Sequence, residues 1–390
     1  MKASCSKAMT KRITIPPWPK YEQDEINAVQ SVLASGNGNY WSGEEGKLFE
    51  QEFANWCGAK HGLCVFNGTV ALELALRAVG ITCGDEVIVT PRSFLASAAS
   101  VVAIGAIPVF ADVDFDSGNI TPETIKEVIT SRTRGIVAVH LGGWPADMPT
   151  IMDLANEHGI KVIEDCAQAQ GATIGGQRVG SFGHAATFSF CQDKIMSTGG
   201  EGGMILTNED EVRDIAWSLR DHGRNRQRTL SNDHPPGFRW TQDRIGTNGR
   251  MTEMQAAIGR CQLKKVDSWV SQRQKNAKQI SSGLQGISGL RVPAPSETYK
   301  HAYYRSTVLF DEEETRNSIV KKLQESGLPA SVGPCPEIYL EEAFVNLGIV
   351  SEAPCSVAHD LGKITMVLSV HSGMETLLPE IVDEITGVVA

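Results

Sequence analysis

The chain has 390 residues, of which 41% are hydrophobic and 21% are charged, and its formal net charge is −10. This length supports a large core and two domains. A net negative charge without a basic tract argues against a nucleic-acid partner. The nine cysteines show no CxxC or other metal-ligand spacing, which predicts reduced thiols in a cytoplasmic protein and no metal site.

Neither of two candidate membrane segments fits that role. Met1–Lys7 is basic, but no apolar stretch follows it, so we predict no secretory signal. Leu95–Ala111 is apolar, yet Ser97, Gly105 and Pro108 interrupt it. A helix followed by a strand explains this segment better than a membrane span.

Short apolar runs alternate with helical patterns along the first half of the chain. The strand-like runs are Glu86–Thr90, Pro108–Asp112, Gly135–His140 and Lys161–Glu164, and the helical stretches are Ser97–Ile104, Pro122–Ile129 and Met148–His158. This alternation predicts an α/β fold with a mainly parallel sheet wrapped by helices.

The second half of the chain predicts a separate, smaller domain. Between Arg220 and Asn248 a polar segment containing Pro235-Pro236-Gly237 breaks the pattern, which favours a projecting loop that contacts a partner subunit. Met251–Leu284 reads as one long helix. We place the domain boundary within it, giving a large domain of residues 1–265 and a small α+β domain of residues 266–390.

One lysine has neighbours that suggest chemistry. Lys194 follows Ser189-Phe190-Cys191-Gln192-Asp193 and precedes the glycine-rich turn Gly199–Gly203. Partial desolvation there would lower the pKa of the amine and make it a nucleophile toward an aldehyde, as in a Schiff-base lysine. The alternative is an ordinary solvated loop lysine.

A carboxylate and a phosphate cradle lie upstream. Asp165 ends the run Lys161-Val162-Ile163-Glu164 and should lie at the carboxyl end of a parallel strand, although it could simply cap the next segment. The sequence Asn67-Gly68-Thr69 joins a strand to a helix, whose first amides favour an anion. An ordinary strand–helix turn with a threonine cap is the alternative there.

Together, Asn67-Gly68-Thr69, Glu164–Gln168, Ser189–Lys194 and Gly200–Gly203 resemble the DegT/DnrJ/EryC1/StrS sugar aminotransferases, which are fold-type I enzymes dependent on pyridoxal phosphate (PLP). The resemblance runs from Asn39–Gly43 to the C-terminal region. It implies that Lys194 forms a Schiff base with the cofactor and that Asp165 pairs with its pyridine nitrogen.

The resemblance also implies contacts around the rest of the cofactor. Gln168 would meet the ring oxygen, and Phe94 would stack on the ring unless it is a core residue. The phosphate would be bound by Gly68, Thr69 and Ser189.

The family also has a segment that crosses a dimer interface, which Asn248-Gly249-Arg250-Met251 resembles. Asn248 would contact the partner's phosphate, and Arg250 would bind the donor carboxylate, unless it forms a salt bridge at the start of a helix. Gly249 replaces the family's usual aromatic, which predicts a more mobile loop and a wider acceptor pocket. Gln170 stands where the family often has His.

The implied reaction is transfer of an amino group from L-glutamate or L-glutamine to a keto- or aldehydo-sugar in lipopolysaccharide or other surface polysaccharide biosynthesis. A nucleotide-linked keto sugar is the first expected acceptor. An 8-amino-3,8-dideoxy-octulosonate transaminase and a ketocyclitol aminotransferase are alternatives, and Gly333–Tyr339 resembles the octulosonate or lipopolysaccharide-sugar relatives.

Three other classes of protein share some of these sequence features or the same substrates. A non-catalytic PLP-binding regulatory protein remains an alternative, although no DNA-binding module is evident. Related PLP-dependent sugar dehydratases carry His in place of Lys194. A nicotinamide-dependent oxidoreductase would need a G-x-G-x-x-G motif after an early strand, and the chain lacks one.

Overall fold

The structure is a computed structural model that describes residues 14–231, 236–351 and 354–389. The predictions for Met1–Lys7 and for Pro235 fall outside the described residues.

The chain forms alternating helices and strands. The helices are α1 (Gln23–Ser35), α2 (Glu45–Cys57), α3 (Gly68–Ala78), α4 (Ala96–Ala103), α5 (Pro122–Lys126), α6 (Met148–His158), α7 (Asp210–Arg220), α8 (Arg226–Leu230), α9 (Glu253–Leu263), α10 (Val266–Leu284), α11 (Glu313–Glu325), α12 (Glu342–Val345), α13 (Ser356–Ile364) and α14 (Leu378–Val389). The strands are β1 (His61–Val65), β2 (Glu86–Val89), β3 (Ile107–Phe110), β4 (Thr133–Val139), β5 (Lys161–Asp165), β6 (Thr173–Ile174), β7 (Gln177–Arg178), β8 (Ala185–Ser189), β9 (Gly203–Thr207), β10 (Leu290–Arg291), β11 (Tyr299–Lys300), β12 (Ser306–Phe310), β13 (Ala330–Ser331) and β14 (Thr365–Leu368).

The central sheet has seven strands in the order β1-β9-β8-β5-β4-β2-β3. The pairs β8–β5, β5–β4, β4–β2 and β2–β3 are parallel, whereas β9 runs antiparallel to both of its neighbours. Its inner strands are almost entirely buried, because helices cover both faces of a parallel sheet. The predicted mainly parallel α/β fold is confirmed.

This topology brings the carboxyl ends of several strands to one edge. Asp165 is the last residue of β5, as predicted, and Ser189 is the last residue of the adjacent β8. Open α/β sheets form their ligand sites at this edge.

A second layer of structure forms from the C-terminal third of the chain. Strands β10, β12, β14 and β13 make an antiparallel sheet that packs with α11 and α14. A separate apolar cluster forms there, including Ile280, Leu323 and Ile385. Val266 and Val270 of α10 belong to the larger core, so this helix bridges the two clusters.

The predicted single helix over Met251–Leu284 is wrong. The structure has two helices, α9 and α10, with Lys264 and Lys265 between them. The amide of Lys265 bonds to the carbonyl of Gln262, only three residues back, at 2.8 Å. Its side chain is anchored by carboxylates near the start of α1, including Asp24 at 2.8 Å, which fixes the break in place.

The polar segment after α7 is pinned at its base and exposed beyond it. Isolated bridges join Asp221 to Asn248 and Arg224 to Gln242. Among its described residues, Trp240 and Ile245 are 82% and 88% exposed. Such exposed apolar side chains are typical of surfaces that contact another protein.

No helix in the described ranges is both long and apolar enough to cross a membrane.

Candidate active site

A cavity of about 760 Å³ opens at the carboxyl edge of the central sheet. Most of the predicted site residues line it, namely Gly68, Thr69, Phe94, Asp165, Gln168, Ser189 and Lys194. Residues of the C-terminal third, including Tyr304, Arg305 and Thr365, form the opposite wall. The cavity therefore lies between the two layers of the molecule.

Lys194 lies in a turn after β8 and not in a regular element. Its amide bonds to the carbonyl of Cys191 at 3.1 Å, and its carbonyl accepts a hydrogen bond from the indole of Trp18 at 2.9 Å. The side chain is 14% exposed, so it is not the solvated loop lysine of the alternative interpretation. The backbone is held from both sides while the amine faces the cavity.

The amine of Lys194 has two polar neighbours. Its Nζ lies 3.4 Å from the hydroxyl of Tyr304 and 3.4 Å from a carboxylate oxygen of Asp193. The Tyr304 hydroxyl in turn donates to Asp193. The amine, the hydroxyl and the carboxylate thus form one connected group.

The expectation of a lowered pKa for Lys194 is wrong for the protein without cofactor. Burial alone lowers the pKa of this amine, but Tyr304 and Asp193 oppose burial and hold the pKa above its ordinary value. The sequence indicates the desolvation of the amine but not the opposing effect of Asp193, the residue directly before the lysine.

Asp165 is buried at the cavity floor. One carboxylate oxygen accepts from the hydroxyl of Ser97 at 2.8 Å, and the other accepts from the amide of Ala167 at 3.1 Å. Burial raises the pKa of Asp165, and these two hydrogen bonds offset part of that effect. His140 and Lys194 also lower this pKa, but neither they nor any other described basic residue forms an ion pair with Asp165. The site therefore fits a cationic ligand group, which would stabilise the charged carboxylate.

The neighbouring Glu164 has a structural role. It accepts backbone hydrogen bonds from Gly180, Phe182 and Gly183 at 2.7, 2.8 and 2.8 Å. The imidazole of His140 lies 3.2 Å from the same carboxylate and accepts from the amide of Ala146 through Nδ1, so its Nε2 donates to Glu164. These hydrogen bonds hold the end of β5, the strand that carries both Glu164 and Asp165.

The segment Asn67-Gly68-Thr69 forms the start of α3. The side chain of Asn67, not that of Thr69, caps the helix by accepting from the amide of Val70 at 2.9 Å. A side chain at Gly68 would lie 2.8 Å from the Cβ of Ser189, so only glycine permits this close packing. Gly68, Thr69 and Ser189 all line the cavity, and the first amides of a helix favour an anion, so we call these three residues the cradle.

Gln168 and Phe94 complete the wall around the cradle. The Oε1 of Gln168 accepts from the amide of Gly142 at 2.7 Å, which orients the side chain and leaves its Nε2 to donate. Phe94 is 69% exposed, so the alternative of a core phenylalanine is wrong. An exposed aromatic face in a cavity is suited to stacking on a planar ring.

Gln170 and Gly249, the two residues that depart from the family pattern, are both held by hydrogen bonds. Gln170 is fully buried and donates to the carbonyl of Ser189 at 2.7 Å, so it positions the cradle. Gly249 donates to Arg220 and accepts from Phe66, both at 2.9 Å. These two hydrogen bonds hold the backbone of Gly249, which argues against the predicted mobile loop.

Asn248 and Arg250 do not line the cavity of their own chain. Asn248 is exposed, and its backbone pairs with Asp221. Arg250 forms an ion pair with the buried Asp221 shortly before α9 begins, which is the salt bridge of the alternative interpretation. The sequence predicts both residues in the site of a partner subunit, so their absence from this cavity leaves that prediction untested.

Sequence reasoning missed Ser97, Trp18 and Tyr304, which hold the two central side chains. In the sequence, Ser97 is evident only as a polar residue that interrupts the apolar run Leu95–Ala111. Its position one helical turn after Ser93, whose hydroxyl lies 3.1 Å away, was the available signal. Trp18 and Tyr304 are far from Lys194 in sequence, and no local pattern links them to it.

The family model described as the DegT/DnrJ/EryC1/StrS aminotransferase family matches residues 19–388. The GDP-perosamine synthase of Vibrio cholerae is 37% identical over 298 residues, which cover 76% of this chain and 77% of that protein. An aminotransferase structure from Psychrobacter cryohalolentis has 46% identity and a TM-score of 0.92, covering 96% of this chain and 98% of the other.

A third protein bears on the cofactor. The GDP-4-keto-6-deoxy-D-mannose-3-dehydratase of E coli, solved with bound hydrated PLP, has a TM-score of 0.86 and 26% identity, covering 96% of this chain and 99% of its own. Together with the family match, this likeness identifies pyridoxal phosphate as the cofactor and PLP-dependent amino transfer as the enzyme class. The chain belongs to the DegT/DnrJ/EryC1/StrS aminotransferase family.

Proposed function

We propose that this enzyme moves an amino group from L-glutamate or L-glutamine to a carbonyl sugar used in lipopolysaccharide or another surface polysaccharide. The observation that carries the proposal is the juxtaposition of Lys194, Asp165 and the Gly68 cradle in one cavity. A nucleotide-linked keto sugar is the first acceptor to test, because the Vibrio cholerae relative is named for a GDP-linked sugar.

The residues of the cavity fit the cofactor. Gly68, Thr69 and Ser189 would bind its phosphate, Asp165 its pyridine nitrogen and Gln168 its ring oxygen, with Phe94 stacked on the ring. The buried Asp165 supports this orientation, since a carboxylate without an ion-pair partner among the described residues favours a protonated ring nitrogen. When bound, PLP carries the amino group and acts as the electron sink of the reaction.

Lys194 has two tasks in this proposal. Its amine anchors the cofactor and, once displaced by the donor, moves a proton at the substrate carbon as a general base. Tyr304 and Asp193 lie 3.4 Å from its Nζ and are placed to hold or return that proton. A histidine in place of Lys194, as in the related sugar dehydratases, would not provide an amine to anchor the cofactor. Lys194 therefore favours amino transfer over the dehydratase chemistry for which the E coli relative is named.

The active unit that we propose is a cytoplasmic homodimer. In each site Asn248 would bind the phosphate and Arg250 the donor carboxylate of the partner's cofactor complex, since neither lines the cavity of its own chain. The exposed Trp240 and Ile245 support a subunit contact in this region. The free thiols of Cys57 and Cys64 support a reducing compartment.

We also propose a division of work between the two domains. Residues 1–265 would bind the cofactor, and residues 266–390 would close the cavity from the side of Tyr304 and Thr365. The buried residues of the apolar cluster that includes Ile280, Leu323 and Ile385 are confined to residues 266–390 and support this division, while the larger cluster extends across the boundary to Tyr304 and Leu361.

Two half reactions, followed by absorbance, test the function. Glutamate or glutamine alone should convert the loaded enzyme to its pyridoxamine form, and only the correct acceptor class should convert it back. A nucleotide-linked keto hexose, an octulosonate aldehyde and a ketocyclitol are the acceptors to compare. If neither amino acid changes the absorbance, the enzyme is not this aminotransferase, and the PLP-binding regulatory alternative gains support.

A further inference from the structure

A second cation with no assigned role lies in the wall of the same cavity. Arg92 lines the cavity together with Gly118, Gly333 and Thr365, and it is 3% exposed. Its Nη2 donates to the hydroxyl of Thr365 at 2.8 Å. Its Nη1 has no hydrogen-bond partner among the described residues, which is costly for a buried charged group.

No described acidic residue compensates the charge of Arg92. Burial lowers the pKa of Arg92 to about 10, which still leaves the guanidinium charged at neutral pH. The nearby Arg316 adds to the positive charge, and its own carboxylate partner is Glu313, at 3.6 Å. A buried guanidinium that has no carboxylate partner among the described residues would be stabilised by an anion bound from solution.

The backbone leaves space beside this guanidinium. Gly118 and Gly333 have φ angles of +68° and +93°, which disfavour any side chain there. A Cβ at Gly333 would lie 3.7 Å from Nη2 of Arg92, and a Cβ at Gly118 would lie 3.6 Å from its Nε. Two glycines thus keep side chains away from the fork of Arg92.

Hydrogen bonds connect the segment that contains Arg92 to Asp165 at the floor of the cavity. The adjacent Ser93 contacts Ser97 at 3.1 Å, and Ser97 donates to Asp165 at 2.8 Å. One short segment therefore carries both the arginine and the hydroxyl that holds the cofactor-binding carboxylate. An anion bound at Arg92 would belong to a molecule that shares the cavity with Lys194.

We propose that Arg92 binds a carboxylate of the carbonyl acceptor, so that the acceptor is an acidic sugar. A carboxylate matches one uncompensated guanidinium in charge and in its planar, bidentate geometry. A nucleoside diphosphate carries more charge and a bulky base that needs an open surface, whereas Arg92 is buried between the two layers. This inference rests on the proposed function and narrows its acceptor class.

The carboxylate could belong to a free ulosonate or to a nucleotide-linked uronate. The test uses enzyme first charged with glutamate and then mixed with an octulosonate aldehyde, a nucleotide-linked keto-uronate or a nucleotide-linked neutral keto hexose. We expect an acidic acceptor to discharge the enzyme about 100-fold faster than the neutral one. The acidic compound that reacts identifies the source of the carboxylate.

The Arg92→Met variant links this preference to the residue. It should slow the reaction with the acidic acceptor by about 100-fold and abolish the preference over the neutral one, while changing the glutamate half reaction less than about twofold. Arg316→Met is the matched control, because Arg316 is bonded to the carbonyl of the same Thr365 but does not line the cavity. It should keep the preference for the acidic acceptor.

Thermal unfolding gives an independent readout of the same site. Removing an unpaired buried cation should leave the melting temperature of Arg92→Met at or above that of the parent enzyme, whereas loss of a merely structural arginine would lower it. Octulosonate itself, which lacks the reactive aldehyde, should raise the melting temperature of the parent enzyme but not of this variant.

Other outcomes overturn the proposal. They are a neutral hexose that reacts as fast as the acids, an equal loss for all acceptors in Arg92→Met, or no discharge by any acidic sugar of an enzyme that glutamate has charged. Failure of glutamate to charge the enzyme would instead overturn the proposed function itself.

Discussion

The Nζ of Lys194 lies 3.4 Å from the hydroxyl of Tyr304, a residue 110 positions later in the chain. The same hydroxyl donates to Asp193, which also lies 3.4 Å from the amine. Lys194 follows a strand of the central sheet, while one of the groups that raise the pKa of its amine comes from the C-terminal third of the chain. The contact between Tyr304 and the lysine therefore also joins the two walls of the cavity.

The rate at which the apo enzyme takes up PLP should rise with pH. The pKa of Lys194 lies above its ordinary value, so the amine is protonated at neutral pH, and only its neutral form reacts. We expect the rate to increase about tenfold per unit between about pH 7 and 9. Stopped-flow absorbance at several pH values measures this.

Asp193→Asn tests the cause of that dependence. Loss of the carboxylate should lower the pKa of Lys194, so that more neutral amine is present and loading is faster at each pH in this window. Asp116→Asn is the matched control, because Asp116 lines the same cavity but pairs with Arg291. Slower loading in Asp193→Asn, with a normal control, would contradict this assignment.

Asp165→Asn should retain the cofactor but lose at least about a hundredfold in activity, because a neutral amide does not stabilise a protonated pyridine nitrogen. Ser97→Ala should cost about tenfold, since it removes one hydrogen bond to a charged group. The absorbance spectrum of the bound cofactor and kcat measure the two effects. Near-normal kcat in Asp165→Asn would show that another group holds the ring.

Gln170→Ala should weaken cofactor binding by about tenfold, because it leaves the carbonyl of Ser189 without its buried donor. Gln170→His is the informative comparison, since imidazole retains a donor and family members often have His there. Equilibrium dialysis against PLP measures the dissociation constants. Equal affinity in all three proteins would assign Gln170 to packing alone.

The local parts of the site could be predicted from the sequence. Asp165 and Gly68 lie where a strand ends and a helix begins, and both transitions are encoded by neighbouring residues. The contacts of Tyr304 and Trp18 with Lys194 could not be predicted in this way, since they join residues 110 and 176 positions apart in the chain. The break between α9 and α10 was missed because Lys265 is held by carboxylates of α1, which leave no trace in the local helical pattern.

Arg250 shows a different limit of sequence reasoning. Its position after Asn248 indicates a family motif, but the single chain pairs it with Asp221. A sequence pattern specifies which residue types are near one another along the chain, not which partner a long side chain selects.

A complementation experiment tests the proposed sharing of sites. Lys194→Ala and Asn248→Asp are each expected to be inactive, and unfolding and reassembling an equal mixture should restore about a quarter of the sites. About half of random dimers are mixed, and each mixed dimer has one intact site of two. No recovery, once subunit exchange is proven by mass, would place Asn248 in the site of its own subunit.

Chemical trapping on Lys194 tests the central claim most directly. Borohydride reduction of the loaded enzyme, followed by proteolysis and peptide mass mapping, should place the pyridoxyl group on the peptide that contains Lys194, and Lys194→Ala should give no such label. The group on any other lysine of the parent enzyme, with Lys194 unmodified, would contradict the account.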